Sequence, residues 1–492
     1  MANPNNITLR LASNGGVDRT LSYEEMDNNF KELVTSINDV ASLDGEVTQS
    51  QSDISQLQSD VAEKLQVETY NSRVLREDLL NQATLSLDFA NNKYEVYEGV
   101  VDGMTQMPFN TALDFTRASS ATARTAIGKI QEVLTDEQRL VGNREGLLIE
   151  EQRTNLFPES KYSAVAPWEI YEVNVSINDH LSPDGTMSAT SVTQNEAGSF
   201  HAIATGGALV NGEAYTQSEI VKHKAGSGWV QLTSSTGFVT GGFANFDLIN
   251  GVVGRVVGGV TSGIIPLAGG YFRIWVSSSA LATDGNGRYV LCLLNGDTSG
   301  RLPNFVGDGV SGIYHWVSQL EQGSFPTSYI PTAGSQVTRA ADNCVRVLGD
   351  EFNLSGFTYY VEFTYLESQS YTAVIGSNVG TLDPIAIGLF EFAIDLRGAL
   401  GLGGHRSAVN AVANSTYKIA ASINTETGAL NLVLDGVLIM TSSADFTGVD
   451  LTPFLNFRLN RSNRDGNAIY KDVQLFPTAL SEAELITLTG GT

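Results

Sequence analysis

Phe357-Thr358-Tyr359-Tyr360-Val361-Glu362-Phe363-Thr364-Tyr365-Leu366 is the stretch on which the fold turns. Its odd positions, Phe357, Tyr359, Val361, Phe363 and Tyr365, are all apolar, while the even ones are mostly polar. In an extended chain that alternation sends one row of side chains into a core and the other to solvent. Further along, Asp435-Gly436 separates the apolar runs 430–434 and 437–440, a strong signal for a two-residue hairpin. Upstream, residues 271–276, 288–294 and 313–320 are β-rich runs bounded by Gly, Asn, Asp or Ser. Near the end, Ser481 and Glu484 have capping-box spacing, and Leu480 and Leu485 that of a hydrophobic staple, so a short helix closes the chain. The expectation is a mainly β protein with two β-sandwiches.

The N-terminal part reads differently. Leu21-Ser22-Tyr23-Glu24-Glu25-Met26 holds a second capping box, Ser22 with Glu25, and predicts a helix from Tyr23. From there Met26, Leu33, Val40, Val47, Ile54 and Val61 recur every seven residues. Of the companion positions Asn29, Ser36, Leu43, Ser50, Leu57 and Lys64, only two are apolar. One regular apolar row beside a half-polar one predicts a thin helical coiled-coil stalk to about residue 65, with that first row as the oligomerisation seam. The spacing leaves the number of strands open. Beyond it, Tyr94, Tyr97, Phe109 and Phe115 are scattered among polar residues, the pattern of an irregular connector. The predicted organisation is an N-terminal segment 1–25, a stalk 26–66, a connector 67–150, and sandwiches 151–340 and 341–492.

The 492 residues carry 54 Asp plus Glu against 29 Lys plus Arg, a formal charge of −25. Such a surface repels phosphate backbones and anionic lipid, so no nucleic acid and no membrane insertion are expected among its partners. With 42% hydrophobic and 17% charged residues the chain can bury a sizeable core. No apolar run is long enough to span a bilayer, and residues 1–10 have no signal-peptide core, so a soluble protein made in a reducing cytoplasm is expected. Cys292 and Cys344 are expected to stay reduced and unbridged.

Motifs of chemistry are missing: there is no G-x-S-x-G, H-E-x-x-H, P-loop or dinucleotide fingerprint. His180, His201, His223, His315 and His405 are far apart in sequence, and His315, within a strand run, reads as structural. No enzyme, no catalytic residue, no cofactor and no metal site is expected. A glycosidase carboxylate pair would be recognised only by its separation in space. Asp184-Gly185, Asp284-Gly285 and Asp465-Gly466 read as turns rather than as Ca²⁺ sites. Sugar binding needs an aromatic face and planar polar groups. Trp168, Tyr171, Trp229, Trp275 and Trp316 are the aromatic candidates, with Trp275 and Trp316 reading as core. The loop Asn460-Arg461-Ser462-Asn463-Arg464-Asp465-Gly466-Asn467 is the richest in planar polar groups. Around it, Arg458, Arg461, Arg464 and Lys471 place four cations in fourteen residues of an acidic chain. Arg461, Asn463, Arg464 and Asp465 are therefore the expected receptor- or glycan-binding residues, with a solvated hairpin turn as the alternative reading.

Several of these stretches resemble one family. Leu21-Ser22-Tyr23-Glu24-Glu25-Met26-Asp27-Asn28-Asn29-Phe30 resembles the virion-docking start of bacteriophage tail fibres. Leu113-Asp114-Phe115-Thr116-Arg117-Ala118-Ser119, then Glu145-Gly146-Leu147-Leu148-Ile149-Glu150 and Arg153-Thr154-Asn155-Leu156, resembles a connector of phage structural proteins, and the resemblance implies that the Trp168 that follows is a packing residue. Gln319-Leu320-Glu321-Gln322-Gly323, Thr327-Ser328-Tyr329-Ile330-Pro331-Thr332 and Thr338-Arg339-Ala340-Ala341-Asp342 are similar to the end of a carbohydrate-binding-like sandwich in such proteins. Residues 418–488 resemble a concanavalin-like or laminin-G-like domain, and the resemblance implies β-sandwiches of jelly-roll or lectin-like type.

The resemblance implies a homo-oligomeric receptor-binding fibre, with a trimer favoured, assembled in the host cytoplasm and carried in the virion. It would dock on the phage tail or other virion proteins through its N-terminus. Its C-terminal sandwiches, with 341–492 at the far end, would bind a host surface glycan by multivalent contact without chemistry. A depolymerase that cleaves the glycan, and a purely structural fibre or collar component, are the alternatives.

Overall fold

Leu85 and Leu87 are fully buried between half-buried neighbours, and this four-residue alternation makes the first core strand of the protein, β1 (Leu85–Asp88). The fold is given by a computed structural model that describes residues 7–8, 20–21, 27–28, 30–32, 47–99, 103–164, 166–234, 241–298, 300–367, 373–377, 386–388, 393–395, 404–407, 409–459 and 467–490. Further short strands follow β1, among them β2 (Lys93–Val96), β3 (Asp114–Thr116) and β4 (Gly146–Ile149). The region expected as an irregular connector over 67–150 is therefore part of a sandwich.

The partners of β1, β3 and β4 lie more than two hundred residues away. After a long excursion the chain returns through β17 (Asn343–Val347), β18 (Gly356–Glu367), β19 (Ser415–Asn424), β20 (Ala429–Leu434), β21 (Val437–Ser443), β22 (Asn456–Leu459) and β23 (Asn467–Phe476). β23 is central, with β18 along one edge and β1 and β4 end to end along the other. One antiparallel sheet thus runs β21-β20-β19-β18-β23-β1-β2, and the facing sheet includes β22-β17-β3. Between them pack Leu85, Leu87, Phe115, Leu147, Ile149, Phe357, Tyr359, Val361, Phe363, Phe457, Val473 and Leu475. A sandwich confined to 341–492 would lack both β1 and β4.

The excursion is the other sandwich, inserted between β4 and β17. Its two connections, β5 (Arg153–Asn155) and β16 (Val337–Arg339), pair antiparallel with each other. Between them the chain forms β6 (Val173–Leu181), β7 (Met187–Gln194), β8 (His201–Leu209), β9 (Ala214–Ala225), β10 (Trp229–Ser234), β11 (Phe243–Asp247), β12 (Thr261–Pro266), β13 (Phe272–Ser279), β14 (Asp284–Leu293) and β15 (Gly312–Gln322). One sheet has the order β6-β7-β15-β9-β13-β12, and the other includes β8-β14-β10-β11. Val192, Ile203, Val221, Val230, Leu232, Phe246, Ile274, Val276, Leu291 and Leu320 fill the space between them. The three strand runs read from the sequence coincide with β13, β14 and β15. Cys292 and Cys344 are both buried and unbridged, one in each sandwich.

Residues 357–366 do form one strand, β18, and the apolar row of its alternation faces the core. The other row is not in solvent: Thr358 and Tyr360 are fully buried. The closing helix α2 (Glu482–Thr489), whose Ser481–Glu484 capping box is formed, lays Leu485 and Leu488 on that face. Leu79 and Ala83 join the same cluster. Each such Leu contributes roughly 1.5–3 kcal/mol by burial.

Leu79 belongs to α1 (Val47–Leu80), a 34-residue helix about 50 Å long. Its root is fixed by Arg76, which donates to the Leu488 carbonyl at 2.9 Å and to the Tyr360 hydroxyl at 3.0 Å. All described side chains from 55 to 71, including Leu57 and Tyr70, are exposed or half-buried. Of the expected seam, Met26, Leu33 and Val40 lie outside the described residues, Val47 is described only in its backbone, and Ile54 and Val61 are half-buried. The helix runs fifteen residues beyond the expected end at 65 and roots on the sandwich that contains 341–492. That sandwich is consequently the one beside the helix, which corrects its expected place at the far end. Among the described residues no helix is long and apolar enough to cross a membrane.

Candidate functional site

Four stretches that carried the resemblance, around Arg117, Glu150, Ser328 and Arg339-Asp342, converge where the two sandwiches join. Arg117, Arg139 and Arg339 are fully buried there with Glu150 and Asp342. Arg139 bridges Glu150 at 2.5 Å and also Asp342. Arg117 reaches Asp342 at 3.1 Å, and Arg339 reaches Glu150 at 2.8 Å. The Ser328 amide and hydroxyl donate to Glu150 at 2.8 and 2.6 Å. Burial alone would raise the Glu150 carboxyl, but Arg339, Arg139 and the Ser328 hydrogen bonds together bring it down to about 2. These groups hold one another and fix the junction, so their chemistry is spent on structure.

Beside this knot a cleft of about 200 Å³ opens between the sandwiches. The hairpin 121–133 supplies Thr122, Arg124 and Ile130. β9, β12 and β13 supply Ile220, Ile265, Arg273 and Trp275, and Phe325 to Tyr329 close one end. Leu366, Asn414 and Ile469 come from the other sandwich. The lining is mainly apolar, with a few polar groups. Trp275 is half-buried and stands opposite Gly263 in register. A Cβ at 263 would come within 2.5 Å of the indole Nε1, so the glycine gives the ring its room. An apolar hollow at a domain junction, with an aromatic wall and a few polar groups, is the usual form of a small-ligand site.

The remaining candidates fall out as follows. Trp168 is buried against Tyr162 and His315, as expected of a packing residue. Trp316 is buried, and its indole donates to the Ser188 hydroxyl at 3.1 Å. Trp229 and Tyr171 are half-buried on the outer face of the β8-β14-β10 sheet. Trp275, read from sequence as core, is the exception, because its strand face borders the cleft instead of the sandwich interior. His315 is buried between Glu219 and Ser318, a structural placement. Asp184 accepts from the Thr186 amide and from the Ser182 and Thr186 hydroxyls, which is turn chemistry. Arg461, Asn463, Arg464 and Asp465 lie outside the described residues. Of the cations flanking them, Arg458 is buried in β22 and Lys471 is paired with Glu362 at 2.6 Å, which removes two of the four from the proposed patch.

No protein-family model and no curated protein sequence matches the chain. Among solved structures, a candidate carbohydrate-binding protein of Bacteroides ovatus is similar at 13% identity and a TM-score of 0.24, over 61% of this chain and 82% of that one. The CBM22-1-CBM22-2 tandem domain of Paenibacillus barcinonensis Xyn10C is similar at 12% identity and a TM-score of 0.22, over 66% of this chain and 98% of that one. The tail fiber protein gp63.1 of an E. coli phage is similar at 8% identity and a TM-score of 0.17, over 68% of this chain and 41% of that one. At scores of this size the function has to be read from the geometry of the cleft.

Proposed function

We propose that this protein is a virion fibre protein that binds a host surface glycan, and that the Trp275 cleft is where one sugar ring sits. The observation that carries the reading is the cleft itself. The half-buried indole of Trp275, with Ile265 and Leu267, offers an apolar wall for the C–H face of a pyranose. Arg124 and Asn414, half-buried and exposed, are polar residues of its lining that can meet hydroxyls. The cleft favours binding over cleavage. Glu150, its buried carboxylate, is held ionised between arginines and cannot lend a proton as a glycosidase acid must.

The fibre part of the reading rests on the sequence resemblance and on α1. A long polar helix with exposed Leu57, Tyr70 and Leu75 gains burial when copies pack in parallel along it, and three copies are proposed. The N-terminus then docks on the virion, and several weak sites on one stalk act at high effective concentration. Sedimentation of the full chain should give a homo-oligomer at micromolar concentration; a monomer would sink the stalk.

The glycan reading is tested by screening the full chain against a saccharide array, then repeating the best binder with Trp275→Ala. Loss of binding by about tenfold or more, with unchanged thermal melting and no release of reducing ends, is expected. Binding that survives the substitution undiminished places the sugar elsewhere.

A further inference from the structure

Two lysines on β9 stand without a carboxylate partner in a chain of net charge −25. Among the described residues the ion-paired lysines are Lys31, Lys93 and Lys471; Lys222 and Lys224 have no carboxylate within 4 Å. Neutral groups hold them instead. Lys222 donates to His180 Nε2 at 3.2 Å and lies over the Tyr271 ring at 5.7 Å. Lys224 donates to the Thr193 hydroxyl at 2.9 Å and lies over the Tyr314 ring at 6.0 Å. His180 stacks on Tyr314 with ring centres 3.8 Å apart. Burial and the Lys222 charge both lower the affinity of His180 for a proton, so it stays a neutral acceptor, with Asp179 the acid acting the other way. π-faces and neutral acceptors position an ammonium without cancelling it, and each lysine spends one of three donors, which leaves two free.

The pair is continuous with the cleft. Ile220 lines the cleft and Lys222 is two residues further on the same strand, roughly 7 Å away. Ile130, Ile220, Leu267 and Tyr329 belong both to the cleft wall and to the cluster that seats Tyr271 and Tyr314. We infer that Lys222 and Lys224 form an acid-binding subsite for sugars further along the chain from the one on Trp275, so that the ligand is a carboxylated polysaccharide, a polyuronate. This rests on the saccharide reading of the cleft and adds the charge of the ligand to it.

The test uses the full chain with three probes: polygalacturonate, neutral dextran and single-stranded DNA. Polygalacturonate should bind, weaken as salt rises, and lose about tenfold or more in Lys222→Ala/Lys224→Ala, with the salt dependence flattened. Trp275→Ala should weaken the same probe. If the double alanine variant melts early, Lys222→Gln/Lys224→Gln takes its place. Dextran binding as tightly as polygalacturonate, dependent on Trp275 and indifferent to the lysines, overturns the subsite and leaves the cleft reading standing. Failure of every saccharide to bind through Trp275 overturns both. Lysine-dependent binding of DNA in preference to polygalacturonate also overturns the subsite.

Discussion

Glu150 shows at the scale of one residue how a resemblance motif becomes structure. Its carboxylate faces Arg139, Arg339 and Ser328 in a site closed to solvent, and each partner comes from a different segment. Its affinity for a proton is lowered on folding, from an ordinary 4.5 to about 2. The stabilisation it brings is therefore fully present above pH 4.5 and is lost as pH falls from there through about 2. Glu150→Gln leaves Arg139 and Arg339 without that charge and should cost about 3–5 kcal/mol in denaturant unfolding at neutral pH. The variant should also lose part of the acid sensitivity between pH 4.5 and 2. An unchanged midpoint at neutral pH would show that the knot is not what fixes the junction. Motif residues were visible in the sequence as Arg117, Glu150, Arg339 and Asp342, but their contact was not, since 225 residues separate Arg117 from Asp342.

Among the elements, legibility followed length. β18, with five alternating apolar positions, announced itself, and so did the Asp435-Gly436 hairpin, where both residues take the positive φ that the turn requires, 47° and 81°. The Ser481 cap was equally local, being complete within four residues. β1, β2 and β4 carry two or three apolar residues each, too few to set a period, and so merged into an apparent connector. Likewise the alternation of β18 marked its core face correctly but held no information about α2, which covers the other. Because β23 needs β1 and β4 on its far edge, residues 341–492 expressed alone should not unfold cooperatively, whereas 47–492 should. Circular dichroism melts of the two fragments check this. A sharp transition in the shorter one would mean that the N-terminal strands are accessory.

At the scale of the whole molecule the two sandwiches are nested, one inserted into a loop of the other, rather than strung in line. That topology places the inserted sandwich away from the α1 root and puts the Trp275 cleft at the seam between the two. It also explains why the sequence suggested the loop around Arg461 and read Trp275 as core: charge density is visible in one dimension, a seam is not. Hydrogen exchange of the full chain, with and without the saccharide that binds best, tests the central claim most directly. The account predicts slowed exchange concentrated at residues 121–130, 263–275 and 325–329, on both sides of the cleft. Slowed exchange confined to residues 460–467, or none at the cleft, would contradict it.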